Sequence, residues 1–156
     1  MREHEKVAVG GTFDFLHDGH KAILSKAFQK GKEVMIGLVS DRMRLKKDAA
    51  GIKPLEERRK DLEHYLEKRG WLERSDIRVI YDSVGPAADE SCLEAIVVTE
   101  ETRGGAEKIN EIRKDNDLDP LEIIEIPLVL ADDGKPISSI RIRYNEIDKQ
   151  GNLISS

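Results

Sequence analysis

The stretch of this chain best equipped for chemistry is His17-Asp18-Gly19-His20, where two imidazoles three positions apart at a helix start lie on one face. Imidazoles so placed either ligate a metal or donate hydrogen bonds to an anion. A zinc site would want further ligands, yet His4 and His64 form no cluster with the pair and Cys92 is the one cysteine. Anion binding has better local support. Val7-Ala8-Val9 is an apolar run of the kind that makes a buried strand, Gly10-Gly11 ends it, and from Asp18 onward Ala22, Ile23, Ala27 and Phe28 recur at helical spacing. A helix that starts just beyond a strand offers a phosphate unpaired amides and a positive dipole end. Gly19 would then leave the first turn bare, so that a phosphate approaches the backbone closely. Gly10-Gly11-Thr12-Phe13 is neither of the common glycine-rich phosphate motifs. The plain alternative is a histidine pair packed for structure alone.

Further residues of unusual type recur after each predicted strand. Glu33–Val39 reads as a second buried strand, and Ser40–Lys53 after it is a segment with five Lys and Arg residues, Lys46 and Lys47 among them. Pro54 opens a helix over Leu55–Arg69, with Leu55, Leu62 and Leu66 as its apolar stripe and Glu56 to Lys60, Arg58 included, as a charged outer face. Ile77–Tyr81 is a third strand, leading to Gly85-Pro86-Ala87. Ala95–Thr99 is a fourth, leading to Arg103 and a helix that carries Ile109 and Ile112. Leu121–Leu130 is a fifth, its Pro127 marking an edge or irregular end, and it is followed by Ser138, Ser139 and the start of a last helix. Strands alternating with helices predict an α/β fold: one doubly wound, Rossmann-like domain over residues 1–156 with a five-stranded parallel sheet. All five sets of residues then share the rim at the strands' carboxyl ends, where such sheets bind ligands.

Composition narrows the partners. A chain of 156 residues suits one domain with a proper core. Charged residues make up 37% and the formal net charge is −5, which argues against nucleic acid as the main partner. One cysteine excludes an internal disulfide framework and fits a reducing compartment. With no membrane-length apolar run and no signal-peptide core at the start, the expected location is cytoplasmic.

Gly10–His20, read as G-G-T-F-D-x-x-H-x-G-H, resembles the signature of the nucleotidylyltransferase superfamily. The resemblance implies that His17 and His20 bind and stabilise nucleotide phosphates, with Gly11, Thr12, Phe13 and Gly19 completing that turn. It also implies that a lysine after the second strand contacts the transferring phosphates. Lys46 or Lys47 matches it, and spacing does not choose between them. Thr99–Asn110, T-E-E-T-R-G-G-A-E-K-I-N, is similar to the fourth-strand motif of archaeal and eukaryotic-type phosphopantetheine adenylyltransferases, whose arginine, here Arg103, binds nucleotide phosphate. Gly85-Pro86-Ala87 resembles the same branch, with Val84 where an aromatic would be expected. Ile137–Arg143, I-S-S-I-R-I-R, resembles the superfamily's I-S-S-T-x-x-R, with Ile140 replacing the third hydroxyl. Ser138 and Ser139 would hold the leaving pyrophosphate. Spacing favours Arg143 as the motif's arginine and leaves Arg141 to face solvent.

What the resemblance implies is adenylyl transfer from ATP to 4′-phosphopantetheine, giving dephospho-coenzyme A and pyrophosphate, with Mg²⁺ arriving on ATP and no protein metal ligands assigned. Two other readings stay open at this point. The acceptor is another small phosphate, as in glycerol-3-phosphate cytidylyltransferases or flavin mononucleotide adenylyltransferases, or the chain is a nucleotide-binding module without turnover.

Overall fold

In a computed structural model that describes residues 4–41, 53–82, 85–138, 141–142, 144 and 146–154, alternation along the strands decides which side chains meet which helix. Strand β1 (His4–Gly11) leads to helix α1 (Asp18–Lys30) and β2 (Gly31–Val39); helix α2 (Leu55–Lys68) and a short 3-10 turn (Leu72–Arg74) lead to β3 (Ser75–Ile80). A second 3-10 turn (Gly85–Ala88) precedes β4 (Ala95–Val98), helix α3 (Arg103–Asp115) and β5 (Glu122–Glu125). The strands pair in parallel in the order β3-β2-β1-β4-β5. The order reverses between β1 and β4, so the turn after β1 stands at the switch point where open α/β sheets bind ligands. This is the doubly wound sheet expected from the sequence.

Both faces of the sheet are covered, which is why its strands read as unbroken apolar runs. Val7, Val9, Val34, Ile36, Leu38 and Val97 pack with Leu24, Ala27 and Phe28 of α1 and Leu62 and Leu66 of α2. Their neighbours Ala8, Met35, Ile96 and Val98 point the other way, onto Ala87, Ala106 and Ile109. A third cluster of Ala131, Ile137 and Ile147 organises the C-terminal segment. No helix among the described residues is long and apolar enough to cross a membrane.

Several expected boundaries shift: β1 begins at His4, β2 at Gly31 and β3 at Ser75, each ahead of the apolar run that marked it. Pro54 is the N-cap of α2 rather than its first residue, and β5 ends at Glu125, well short of Leu130. Pro127 lacks the amide that a further ladder bond would need, and beyond it the described residues make two isolated antiparallel bridges, Leu130 with Pro136 and Ile147 with Leu153.

Candidate active site

His17 is the N-cap of α1, on extended backbone, and its Nδ1 accepts from the amides of Gly19 at 3.0 Å and His20 at 3.4 Å. In return, Nδ1 of His20 accepts from the His17 amide at 3.2 Å. This is a capping box made of two imidazoles. The rings stack with centroids 3.7 Å apart, 18° from coplanar. An amide can only donate, so both Nδ1 atoms are unprotonated and each neutral ring carries its proton on Nε2. Titration agrees with the geometry. Burial, with the charge of Lys21 adding to it, pushes His17 down to about 4. Burial, with the His17 ring beside it, holds His20 well below its ordinary value. At neutral pH the pair therefore offers two uncharged Nε2–H donors.

The expectation that α1 presents bare amides to a phosphate does not hold. The Asp18 amide donates to the Lys149 carbonyl at 3.0 Å, those of Gly19 and His20 to the His17 ring, and that of Lys21 to the His17 carbonyl at 3.0 Å. What remains to donate at this helix start is imidazole. Gly19 has a different reason as well: a Cβ there would stand 2.8 Å from Cε1 and 3.0 Å from Nδ1 of His17. The absent side chain makes room for the capping ring.

The turn before α1 is tight because Phe13 and Phe15 both adopt positive φ, 52° and 46°. Left-handed backbone costs a bulky residue about 1–2 kcal/mol, so the surroundings must over-determine it. Phe13 is buried, with its ring 5.2 Å from that of His20. Asp14 is fully buried and accepts the Lys53 amide at 3.2 Å. Arg58, expected on the outer face of α2, is instead completely buried. Its guanidinium donates to the carbonyls of Val39 (2.7 Å), Lys53 (2.8 Å) and Thr12 (3.0 Å) and to Asp41 (3.2 Å). A guanidinium supplies five donors in a rigid plane, which is what joining several elements at once requires.

Beside this turn, across the other face of the sheet, lies a cavity of about 370 Å³. Val9 and Gly10 line its end nearest the turn, Met35, Pro86, Ala87 and Ile109 give it apolar walls, and Glu101 and Thr102 add polar groups. The Pro86–Ala87 wall is fixed from behind by a second buried arginine, Arg113, which donates to the carbonyls of Ala87 and Glu90 at 2.8 Å each and of Asp119 at 2.7 Å.

The remaining predicted residues are less uniform. Arg103 opens α3, half exposed, and pairs with Glu125 at 3.2 Å and Glu107 at 3.5 Å. Ser138 starts a turn in which its hydroxyl accepts the Arg141 amide at 3.3 Å and its carbonyl the Ile142 amide at 3.2 Å. Arg141 does not face solvent: it pairs with Asp133 and with Glu146 and donates to the Pro136 carbonyl. Lys46, Lys47, Ser139 and Arg143 lie outside the described residues. Sequence reasoning missed Asp14, Arg58 and Arg113. For the two arginines a signal existed: Arg58 falls in step with Leu55, Leu62 and Leu66, and Arg113 in step with Ala106 and Ile109, so each sits on an apolar stripe.

Residues 8–145 match the family model described as cytidylyltransferase-like. The phosphopantetheine adenylyltransferase of Pyrococcus abyssi is 48% identical over 99% of this chain and 98% of its own length. That of Methanothermobacter thermautotrophicus is 44% identical over 98% and 92%. Among solved structures, a protein of unknown function from Archaeoglobus fulgidus superposes with a TM-score of 0.68 at 30% identity, over 78% of this chain and 97% of its own. A bifunctional NMN adenylyltransferase/ADP ribose pyrophosphatase from Francisella tularensis has the same fold, with a TM-score of 0.61 at 16% identity over 97% of this chain and 45% of its own.

Proposed function

As a member of the phosphopantetheine adenylyltransferases within the cytidylyltransferase-like family, the chain is a nucleotidyltransferase, and we propose that it moves the adenylyl group of ATP onto 4′-phosphopantetheine. The products are dephospho-coenzyme A and pyrophosphate, a step of coenzyme A biosynthesis, and the whole chain acts as one catalytic domain. The observation that carries the mechanism is the two-imidazole capping box, which fixes two neutral Nε2–H donors at the switch point of the sheet.

The phosphate oxygen of the acceptor attacks the α-phosphorus of ATP in line, forming one P–O bond as the bond to pyrophosphate breaks. An ionised phosphate needs no general base. Catalysis is positioning and charge stabilisation. His17 and His20 donate their Nε2–H protons to the phosphate oxygens, and because a neutral imidazole is a very weak acid they do so without transferring them. Lys46 or Lys47 neutralises charge on the transferring group, Gly11, Thr12, Phe13 and Gly19 shape the turn, and Arg103, Ser138, Ser139 and Arg143 hold the triphosphate and leaving pyrophosphate. For Arg103 this means exchanging Glu125 for phosphate when ATP enters. Mg²⁺ comes in on the triphosphate, as part of the substrate. The apolar cavity beside Gly10 takes the pantetheine arm, whose chain of methylenes and amides matches apolar walls with few polar groups. The reaction belongs to the cytoplasm.

Pyrophosphate release from ATP or CTP, each paired with 4′-phosphopantetheine, glycerol 3-phosphate or flavin mononucleotide, tests the assignment. Only ATP with 4′-phosphopantetheine should turn over, and the reverse reaction should make ATP. Faster cytidylyl transfer to a polyol phosphate would overturn it.

A further inference from the structure

Among the described residues the two largest fully buried side chains are arginines, and neither is placed to touch a substrate through its guanidinium. Arg58 and Arg113 are 0% and 1% exposed. Burying a guanidinium is expensive unless its donors are satisfied, and both bond mainly to backbone carbonyls. Those carbonyls fall in different halves of the site. Arg58 joins Thr12, in the turn that carries the histidines, to Val39 at the end of β2 and to Asp41 and Lys53, which flank the basic segment. Arg113 joins Ala87, a wall of the apolar cavity, to Glu90 and Asp119.

We infer that Arg58 and Arg113 are positioning residues with divided duties, Arg58 setting the phosphate-transfer half of the site and Arg113 the wall against the acceptor's arm. The inference rests on the adenylyl-transfer reading above. Its physical basis is the shape of the group. A guanidinium bonds carbonyls of separate segments at once in a fixed plane, whereas an ammonium is a point donor on a flexible stem. Replacement by lysine keeps charge and stem length but lets those segments drift relative to each other. Drift of the Thr12 turn misplaces the reacting phosphates. Drift of Ala87 loosens binding of a part of the acceptor that does not react, and where that contact is equally strong in ground and transition states its loss appears in KM alone.

The two variants should therefore fail differently. R58K should lower kcat on the order of 10²-fold, as an ångström's misplacement does, with the dissociation constant for 4′-phosphopantetheine within twofold of wild type. R113K should raise the acceptor's KM about tenfold, a loss of binding alone, with kcat at saturation within threefold. D41A removes one carboxylate from Arg58 at a half-exposed position and should give a weaker form of the R58K pattern. Should either lysine variant fail to fold, methionine at that position keeps the stem without burying an unpaired ammonium. Steady-state kinetics, acceptor calorimetry and thermal melts on all of these decide. The same loss of kcat, affinity and melting temperature in both arginine variants makes them structural only and overturns the inference. Wild-type protein that forms no dephospho-coenzyme A overturns the reaction itself, and the division of duties with it.

Discussion

Gly19→Ala separates the geometry of the histidine pair from the stability of the fold. The added Cβ would lie 2.8 Å from Cε1 and 3.0 Å from Nδ1 of His17. Ordinary carbon contacts start near 3.5 Å, so the ring must retreat by roughly 0.7 Å or more. His20 is stacked on that ring at 3.7 Å, so one imidazole cannot move without the other. Loss of the N-cap bonds costs about 1 kcal/mol. Alanine in place of glycine within a helix returns about 0.5–1 kcal/mol, so the two nearly cancel. The expected melting temperature is within about 4 °C of wild type. Turnover is another matter, because two donors are re-aimed together. Removing one such donor from an enzyme costs on the order of 10²–10³ in kcat, and G19A should reach the lower end of that range. Thermal melts alongside steady-state pyrophosphate release measure both quantities. Turnover within threefold of wild type would refute the reasoning, since the rings would then have moved without consequence. So would a melting temperature more than 10 °C lower with activity lost in proportion.

Three further outcomes follow from the same geometry. His20→Ala should lower kcat on the order of 10²–10³-fold with only a modest change in ATP affinity, read by single-turnover rates and calorimetry; equal losses in affinity and kcat/KM with kcat intact would make it a binding residue. Of Lys46→Ala and Lys47→Ala, one should cut turnover with little change in the melt, because a lysine side chain is rarely part of a packed core; wild-type kinetics in both would remove the segment from the proposed site. His17 titrates near 4 in the fold against 6.5 when unfolded, so the unfolded chain binds the extra proton between those values. Stability from this group is complete above pH 6.5, falls as the pH drops, and levels off near 4, a loss of about 3 kcal/mol at most. His17→Asn keeps a strong capping residue but removes the titrating ring, so urea titrations from pH 7.5 to 4 should show a flatter decline than wild type.

Much of this was legible in the sequence because each element carried its own signal. The apolar runs at Val7–Val9 and Glu33–Val39 mark strands buried on both faces, and the structure covers both. The histidine pair was legible as the start of a helix after a glycine turn, and the structure places it there, at the switch point of the sheet. What could not be read was the direction in which polar groups point. Spacing placed His17 beside amides, yet only coordinates show that the amides hold the rings and not a ligand. The charges at 56–60 hid Arg58, because a run of charged residues reads as a solvated face unless one member is noticed to fall in step with the leucines. Arg113 was hidden in the same way behind Lys114 and Asp115. Pro127 was legible as an irregularity, but not that the ladder with β4 would already end at Val98 and Glu125.

The protonation of the two rings is the most direct test of the account. In protein labelled with ¹⁵N at histidine, a long-range ¹H–¹⁵N correlation spectrum at pH 7, assigned with His17→Asn and His20→Ala, reports which nitrogen of each ring bears the proton. The capping geometry predicts that both rings are neutral, with the proton on Nε2 and Nδ1 bare. An imidazolium at either position, or a proton on Nδ1, would contradict it.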